Sequence, residues 1–324
     1  MNALRKKTTK LKGRRKLSPF LLIRLLGIAL FIFILTTVDL SSLWKNISEV
    51  KADFLIYGIF FQLLLLFLKA FRWHILNSGS KESNVLIRSL GEFFESYAIG
   101  VITPGRMGEM MKAGHAKEKN SMMEAGIRVL VERGFDLGIF VLIAGLSLMI
   151  TFRENTAMLI GILVILAGVI ILSLAVIFMR SASATAIIEK LVNRLPFMKL
   201  DLQLSFRKRS PLVQMAIIFL SVASNLSYFI SCYFLALGLL FDHGFLFVSG
   251  AVAIAGLLNM LPVTVMGLGT REGTFLLLFK PLAEPLILAF SGLVFLVAQI
   301  GGGVVALILG QVFLNLSVKD DSGK

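Results

Sequence analysis

The sequence is poor in the residues that most often carry metal and thiol chemistry. It has one cysteine, Cys232, and three histidines, which lie far apart at His74, His115 and His243. A single cysteine excludes an intramolecular disulfide, and the histidine spacing fits no metal site. The sequence also lacks a GxxxxGK[ST] loop, the signature of a P-loop nucleotide site. We therefore expect no cofactor and no bound metal.

Charged residues are scarce as well, at 16% of the chain, whereas 57% of the residues are hydrophobic and the mean hydropathy is +0.87. A soluble protein of 324 residues could not bury this much apolar surface, so the expected solvent is lipid. The net charge of +14 would suggest nucleic-acid binding in a soluble protein. Here the basic residues concentrate in predicted loops, where they orient the chain and meet anionic headgroups, so nucleic acid is not an expected partner.

Long apolar runs predict an all-α polytopic membrane protein of about eight crossings by hydropathy. Six full spans fit, at about 20–38, 54–72, 134–152, 157–179, 212–240 and 286–316, and two broken segments lie at 85–103 and 245–279. No small-residue cleavage site follows 20–38, which is therefore predicted to be an uncleaved first span. The predicted domains are a basic tail at 1–19, a transmembrane domain at 20–316 and a tail at 317–324. The halves of the transmembrane domain, about 20–179 and 212–316, are joined by an interfacial segment at 180–211.

The distribution of basic residues predicts the orientation. Residues 5–16 carry eight Lys or Arg and no acid, and 180–211 carries seven against two acids. Both termini are therefore predicted to be cytoplasmic, in a bacterial-type inner membrane. For span 134–152 to leave from the cytoplasm, segment 85–133 must enter from the cytoplasmic side and return to it. For span 286–316 to end in the cytoplasm, segment 245–279 must enter from the outside and return there. Two re-entrant hairpins of opposite orientation, as in an inverted repeat, meet the requirement, and so do two ordinary crossings for each segment.

The first broken segment combines helix breakers with charge. Pro104 and Gly105 end a helix, Gly108 allows close backbone approach, and a new helix is predicted to start near Gly108. Free N–H groups at that start, together with the Arg106 guanidinium, would favour an anion. Glu109 would hold Arg106 in place or bind a coupling ion.

The second broken segment repeats these parts in a different order. Pro262 is predicted to end a helix, and the next helix opens around Gly267, Gly269, Arg271, Glu272 and Gly273. The glycines form no dinucleotide fingerprint, because no strand precedes them and the third glycine has the wrong spacing. A charge in hydrocarbon costs at least ~2.5–3.5 kcal/mol, so an Arg and a Glu at each break favour a functional site.

Further charges lie beside the apolar runs and are predicted to form coupling or structural ion pairs. Glu92 and Glu95 share a helix face, as do Glu132 and Asp136, and Arg133 is expected to pair with one of the last two acids. Interfacial anchoring explains the cluster at 132–136 equally well. Three cations near predicted span ends are instead expected to snorkel to the membrane surface: Arg24, Lys69 and Arg72.

At these residues the chain resembles the membrane domain of lysylphosphatidylglycerol synthase/flippase proteins and the related stand-alone flippase-like family. The marks are Pro104-Gly105-Arg106-Met107-Gly108-Glu109 with Lys112 following, Glu132-Arg133-x-x-Asp136, and Leu261-Pro262 leading to Gly267-Leu268-Gly269-x-Arg271-Glu272-Gly273. Lys112 stands where family members often have Arg, which keeps the charge. The resemblance covers roughly 20–316 and implies a protein that moves a lipid or a lipid-linked headgroup between leaflets. Bifunctional members add a soluble aminoacyl-transferase domain after the membrane region; eight residues follow the last predicted span here, so lipid synthesis is not expected.

The sequence thus predicts a flippase-like translocase, not an enzyme, for an anionic phospholipid or lipid-linked headgroup. The predicted substrate-binding residues are Gly105, Arg106, Gly108, Glu109, Lys112, Gly267, Gly269, Arg271, Glu272 and Gly273. One alternative is a membrane-embedded enzyme or accessory subunit acting on lipid-linked sugars, with Glu92, Glu95 and Glu109 as acid/base candidates. Another is a small-solute or ion carrier. Membrane lipids are the expected partners, and a homo-oligomer or a partner lipid-synthesis enzyme stays open.

Overall fold

The structure is a computed structural model that describes residues 36, 40–77, 86–115, 119–151, 154–180, 210–260, 266–280 and 282–322. Helices joined by short turns make up these ranges, which contain no strand. The α-helices are α1 (Leu40–Ser48), α2 (Ala52–Asn77), α3 (Leu86–Ile102), α4 (Met111–Gly114), α5 (Lys119–Thr151), α6 (Asn155–Arg180), α7 (Pro211–Gly238), α8 (Phe245–Met260), α9 (Thr270–Leu278), α10 (Glu284–Val294) and α11 (Gly302–Ser322). A 3-10 helix (Pro104–Met110) precedes α4, and a π-helical segment (Phe295–Gly301) joins α10 to α11.

Five stretches are long and apolar enough to cross a membrane: Ala52–Asn77, Met122–Thr151, Asn155–Arg180, Pro211–Gly238 and Glu284–Ser317. They correspond to five of the six predicted full spans; the sixth, 20–38, lies outside the described residues. A helix of 26 residues such as α2 is ~39 Å long, which exceeds the ~30 Å hydrocarbon core. The chain is therefore an all-α, multi-pass membrane protein.

Small residues let the long helices approach closely. A Cβ on Gly145 of α5 would lie 2.8 Å from Ile165 Cγ1 and 3.0 Å from the Gly161 carbonyl oxygen on α6. A Cβ on Gly310 of α11 would lie 2.8 Å from the backbone nitrogen of Glu95 on α3. Backbone contact of this kind is the usual way that helices associate in lipid, where burial of apolar surface gives no driving force.

The first broken segment folds back on itself as a hairpin made of α3 and the return segment 104–115. A Cβ on Gly108 would lie 2.7 Å from the carbonyl carbon and oxygen of Ile99, so the two backbones touch. Farther down, Arg88 Nη2 donates to the His115 carbonyl at 3.4 Å. The return segment therefore runs antiparallel to α3, and both ends of this first hairpin lie together.

The second broken segment has the same construction, in that α9 folds back along α8. Near the tip, Thr270 Oγ1 donates to Asn259 Oδ1 at 3.2 Å. At the other end the rings of Phe247 and Phe279 have centroids 5.4 Å apart. Both ends of this second hairpin therefore lie together too, while Leu261 and Pro262 lie outside the described residues.

The bases of the two hairpins lie at opposite ends of α2. At the N-terminal end of α2, the Lys51 amide donates to the Gly238 carbonyl at 3.2 Å, and the loop after Gly238 leads into the second hairpin. At the C-terminal end, Asn77 Nδ2 donates to Glu92 Oε2 of the first hairpin at 3.4 Å. The hairpins therefore approach the middle of the molecule from opposite directions.

Candidate functional site

Eight charged side chains from α2, the first hairpin and α5 form one network of ion pairs inside the helix bundle. The five cations are Lys69, Arg72, Arg106, Lys112 and Arg133, and the three carboxylates are Glu109, Glu132 and Asp136. We call this set the charge network.

Asp136 links α2 to α5 and α7. Its carboxylate accepts from Lys69 Nζ at 2.7 Å, from Arg72 Nη1 at 2.9 Å and from Asn225 Nδ2 at 2.9 Å. Arg72 Nη1 also donates to Ser221 Oγ at 3.1 Å. These short bonds fix α2 between α5 and α7.

Glu132 and Glu109 tie the first hairpin to this framework. Glu132 accepts from Lys112 Nζ at 2.6 Å and pairs with Arg72 Nε at 3.3 Å. Glu109 lies 3.1 Å from Arg133 Nη2 and 3.6 Å from Arg106 Nη1. The predicted contact between Glu109 and Arg106 is therefore present, and Arg133 pairs with Glu109 instead of the acids on its own helix.

The snorkelling prediction is wrong for Lys69 and Arg72, whose residues are only 9% and 1% exposed. Both lie in the C-terminal part of α2, and the carboxylates of α5 face them across the helix contact. A buried partner stabilises their charge, so they do not need to reach the membrane surface. Arg24 lies outside the described residues.

The charge network carries an excess of positive charge. With each group in its ordinary charge state, five cations face three carboxylates, which leaves a net charge of +2. If Lys69 were neutral, one excess charge would remain. Buried charge without a partner is costly, so the network as a whole favours an anion.

Arg106 is the cation with the weakest partners in the charge network. Its Nη2 lies 3.4 Å from Tyr97 Oη and its Nη1 3.6 Å from Glu109, both longer than an ordinary hydrogen bond. Its side chain is 33% exposed, whereas that of Lys112 is 1% exposed. Arg106 also has φ 55°, a left-handed conformation that costs an L-residue about 1–2 kcal/mol. Such strain is typical of functional sites, and here it coincides with an incompletely paired guanidinium.

A helix does start near Gly108, as predicted, but it is a 3-10 helix and not an α-helix. Gly105 and Arg106 both have positive φ and kink the chain, helical geometry resumes after them, and the α-helix that follows begins at Met111 and has four residues. The Gly108 amide donates to Thr103 Oγ1 at 2.7 Å and is therefore not free for an anion. The Arg106 amide likewise donates to the Thr103 carbonyl at 3.0 Å, so neither of these two amides is available to an anion.

A cavity of about 80 Å³ lies where the tips of the two hairpins meet. A cavity needs ~10–15 Å³ to hold one water, so this space admits several waters or a small charged group. Polar side chains from both halves line it: Lys69, Tyr97, Arg106, Asn225, Tyr228, Asn259 and Gln299. No carboxylate belongs to the lining among the residues that the structure describes.

The second break holds a separate buried ion pair. The guanidinium of Arg271 pairs with Glu272, Arg271 Nε donates to Ser291 Oγ at 2.8 Å, and Ser291 Oγ donates to Glu272 at 2.8 Å. Glu272 Oε2 also accepts from the Gly269 amide at 2.7 Å and so caps α9. Arg271 Nη1 is buried and has no hydrogen-bond partner within the described part of the chain.

The glycines of the second break differ in role. Gly267 has φ 74°, and a Cβ there would overlap the Asn259 amide. Gly269 has φ 82°, whereas a Cβ on Gly273 would meet nothing within 4 Å. Gly267 is therefore required by geometry, and Gly273 is not.

Glu92 and Glu95 do not join the charge network. Glu92 pairs with Arg88 Nε at 3.2 Å near the base of the first hairpin, and Glu95 Oε2 lies 3.0 Å from His115 Nε2. Across the described ranges, no group of three or more His, Cys, Asp or Glu is arranged to hold a metal.

Sequence reasoning missed the uncharged polar residues that the second half of the chain contributes to the cavity. Asn225, Asn259 and Gln299 each interrupt an apolar run, which is a signal that could have been used. Gln299 lies in the π-helical segment, a local widening of the helix that is frequent at functional sites and has no simple sequence signature. Tyr228 also lines the cavity, together with Arg106.

The model of the lysylphosphatidylglycerol synthase TM region matches residues 21–308, most of the chain. The chain belongs to this family. The match includes both broken segments, and it supports a membrane-lipid role for this family member. No individual curated protein matches the chain.

Proposed function

We propose that this protein is a flippase-like translocase that carries an anionic phospholipid or lipid-linked headgroup between the leaflets of the membrane. The observation that carries the proposal is the unbalanced charge of the charge network, whose most exposed member, Arg106, lines the cavity. The fork of Arg106 suits bidentate recognition of a phosphate.

The two hairpins would be re-entrant and would form an inverted repeat. Their bases lie at opposite ends of α2, and residues near both tips line the same cavity. Such an arrangement places a site near the bilayer midplane, where it can open to either leaflet in turn. The acyl or isoprenoid chains would remain in the bilayer beside it.

The lipid would pass through chemically unchanged. Each carboxylate of the charge network pairs with at least two cations: Glu109 with Arg106, Lys112 and Arg133, Glu132 with Arg72 and Lys112, and Asp136 with Lys69 and Arg72. A carboxylate held in this way is poorly placed to act as a general acid or base. The basic segments 5–16 and 180–211 support cytoplasmic termini in an inner membrane.

The test uses the protein reconstituted into vesicles with a tail-labelled fluorescent lipid, whose outer-leaflet fraction is bleached by an impermeant reductant. We expect leaflet exchange of phosphatidylglycerol to exceed that of phosphatidylcholine. Arg106→Gln should slow exchange of the anionic lipid roughly 10- to 100-fold, since one charge-assisted bond contributes about 1.5–3 kcal/mol.

Lys45→Gln is the matched control, because it removes a cation whose side chain is 71% exposed. Exchange by Arg106→Gln at the wild-type rate for every anionic lipid would refute the site. The lipids are extracted and separated after each run, and a new lipid species would show that the protein is an enzyme.

A further inference from the structure

The two halves of the chain supply different chemistry to the cavity. The first half contributes both of its cations, Lys69 and Arg106. The polar side chains from the second half are all neutral: Asn225, Tyr228, Asn259 and Gln299. A ligand that fills the cavity would therefore meet positive charge on one side and uncharged hydrogen-bonding groups on the other.

The neutral side retains unused hydrogen-bonding capacity. Gln299 Oε1 is buried and has no donor among the described residues. Asn259 Oδ1 already accepts from Thr270, which leaves the amide NH₂ of Asn259 as a donor. A buried acceptor without a donor is rare in folded proteins, so a ligand or a water is expected to supply one.

The backbone fixes Gln299 at this position. Gln299 lies in the π-helical segment, and Gln62 Nε2 from α2 donates to the neighbouring Ala298 carbonyl at 3.3 Å. Gln62 itself is only 2% exposed. The widened turn is therefore held by a side chain from the other half of the protein, which fixes the backbone that carries Gln299 beside the cavity.

A donor for Gln299 could be a hydroxyl or an ammonium group, and the charge around the cavity distinguishes them. The adjacent charge network has a net charge of +2, its carboxylates are already paired, and none of them lines the cavity. An ammonium group here would meet like charge with no carboxylate to balance it, which is strongly disfavoured. A hydroxyl can satisfy the amide without this cost.

We propose that the cavity binds a phosphate ester whose alcohol part carries hydroxyl groups, such as a glycerol- or sugar-phosphate headgroup, and that it rejects headgroups that carry an ammonium group. Arg106 would hold the phosphate, and Asn259 and Gln299 would hold the hydroxyls. The proposal rests on the proposed function for its lipid source. Lysylphosphatidylglycerol, the lipid in the family's name, carries cationic groups on its lysyl ester, so the proposal predicts weaker binding of that lipid.

Equilibrium binding to the purified full chain in detergent tests the ligand class. Three short-chain lipids are compared: phosphatidylglycerol, phosphatidylpropanol, which has the same charge but no free hydroxyl, and lysylphosphatidylglycerol. We expect phosphatidylglycerol to bind about tenfold more tightly than phosphatidylpropanol, as two neutral hydrogen bonds would give. Lysylphosphatidylglycerol should bind more weakly than either.

Two variants assign the effect to residues. Gln299→Leu should weaken binding of phosphatidylglycerol and leave phosphatidylpropanol unchanged, whereas Arg106→Gln should weaken both. Gln311→Leu, at an exposed position on α11, is the matched control and should change neither. Equal affinity of the wild type for phosphatidylglycerol and phosphatidylpropanol, or tight binding of the lysyl ester, would overturn the proposal.

Two further measurements separate this proposal from the proposed function: leaflet exchange in vesicles and binding of a soluble ligand. Preferential binding of phosphatidylglycerol without leaflet exchange would uphold the ligand class and refute the translocase. Leaflet exchange of anionic lipids, with no preference for the hydroxyl-bearing lipid in the binding assay, would uphold the translocase and refute the ligand class. Glycerol 3-phosphate is the third arm: if it binds as tightly as the lipid, the hydroxyl-bearing phosphate is recognised in soluble form and the lipid source is wrong.

Discussion

At the scale of single residues, Asp136 shows how the charge network contributes to stability. It accepts hydrogen bonds from Lys69, Arg72 and Asn225 while only 6% exposed. Asp136→Asn would leave the buried Lys69 without its carboxylate and Arg72 with Glu132 alone, and it would raise the positive excess further. We expect it to destabilise the protein by about 3–5 kcal/mol, the usual cost of breaking a buried ion pair. Thermal unfolding in one detergent measures this effect.

Two comparisons make the Asp136 result specific to charge. Arg133→Gln removes a cation from the positive excess, and Glu109 keeps Arg106 and Lys112 as partners, so the expected change is about 1 kcal/mol or less. Asp242→Asn makes the same Asp-to-Asn change at an exposed carboxylate and should leave the stability of the protein unchanged. Equal loss of stability for Asp136→Asn and Arg133→Gln would contradict the conclusion that the charge network carries an excess of positive charge.

At the scale of elements, the second hairpin depends on Gly267 in its turn and tolerates change at Gly273. Gly267 has φ 74° and touches the Asn259 amide, whereas Gly273 lies in α9 with no neighbour near its absent Cβ. Gly267→Ala should destabilise the protein by about 1–3 kcal/mol, through strain and overlap. Gly273→Ala should stabilise it by up to about 1 kcal/mol, because Gly is the poorer helix former.

The measurement is the midpoint of thermal unfolding for both glycine variants against the wild type. Opposite signs are expected, and a shared sign would show that the turn at Gly267 does not depend on the left-handed conformation. Since Gly273 was among the predicted substrate-binding residues, its variant also reports on the site. If the substrate contacts only the helix backbone at Gly273, leaflet exchange should persist in Gly273→Ala.

The breaks themselves were predictable from sequence because Pro and Gly have local effects. Pro104 and Gly105 end α3 as expected, and the Glu109–Arg106 contact follows from residues three apart. The partners of Lys69 and Arg72 could not be predicted, because they come from α5, more than 55 residues away in the chain. Long-range pairing depends on how α2 packs against α5, and no local pattern records that packing.

The π-helical segment is a second feature that local sequence patterns did not predict. Its residues Phe295–Gly301 read as an ordinary apolar helix in the sequence, and 286–316 was predicted as one span. The span is present, but its hydrogen-bond pattern widens for one stretch where Gln62 donates to Ala298. The widened turn that carries Gln299 therefore became visible only from tertiary structure.

At the scale of the whole molecule, the opposite approach of the two hairpins makes a prediction about sidedness. Leu86 begins the first hairpin and Asp242 lies just before the second, and both are exposed. If the hairpins enter from opposite sides, cysteines at these two positions should face different compartments. The native Cys232 is 1% exposed, so the wild-type chain already serves as the unlabelled background.

We expect a membrane-impermeant maleimide to label Asp242→Cys in intact cells and Leu86→Cys only after the membrane is permeabilised. The direction of this difference follows from the basic segments 5–16 and 180–211, which predict a cytoplasmic N-terminus. The reverse pattern would invert the orientation while keeping the two hairpins opposed. Labelling of both positions from one side would refute the opposed hairpins, and a site reached alternately from the two leaflets would lose its structural basis.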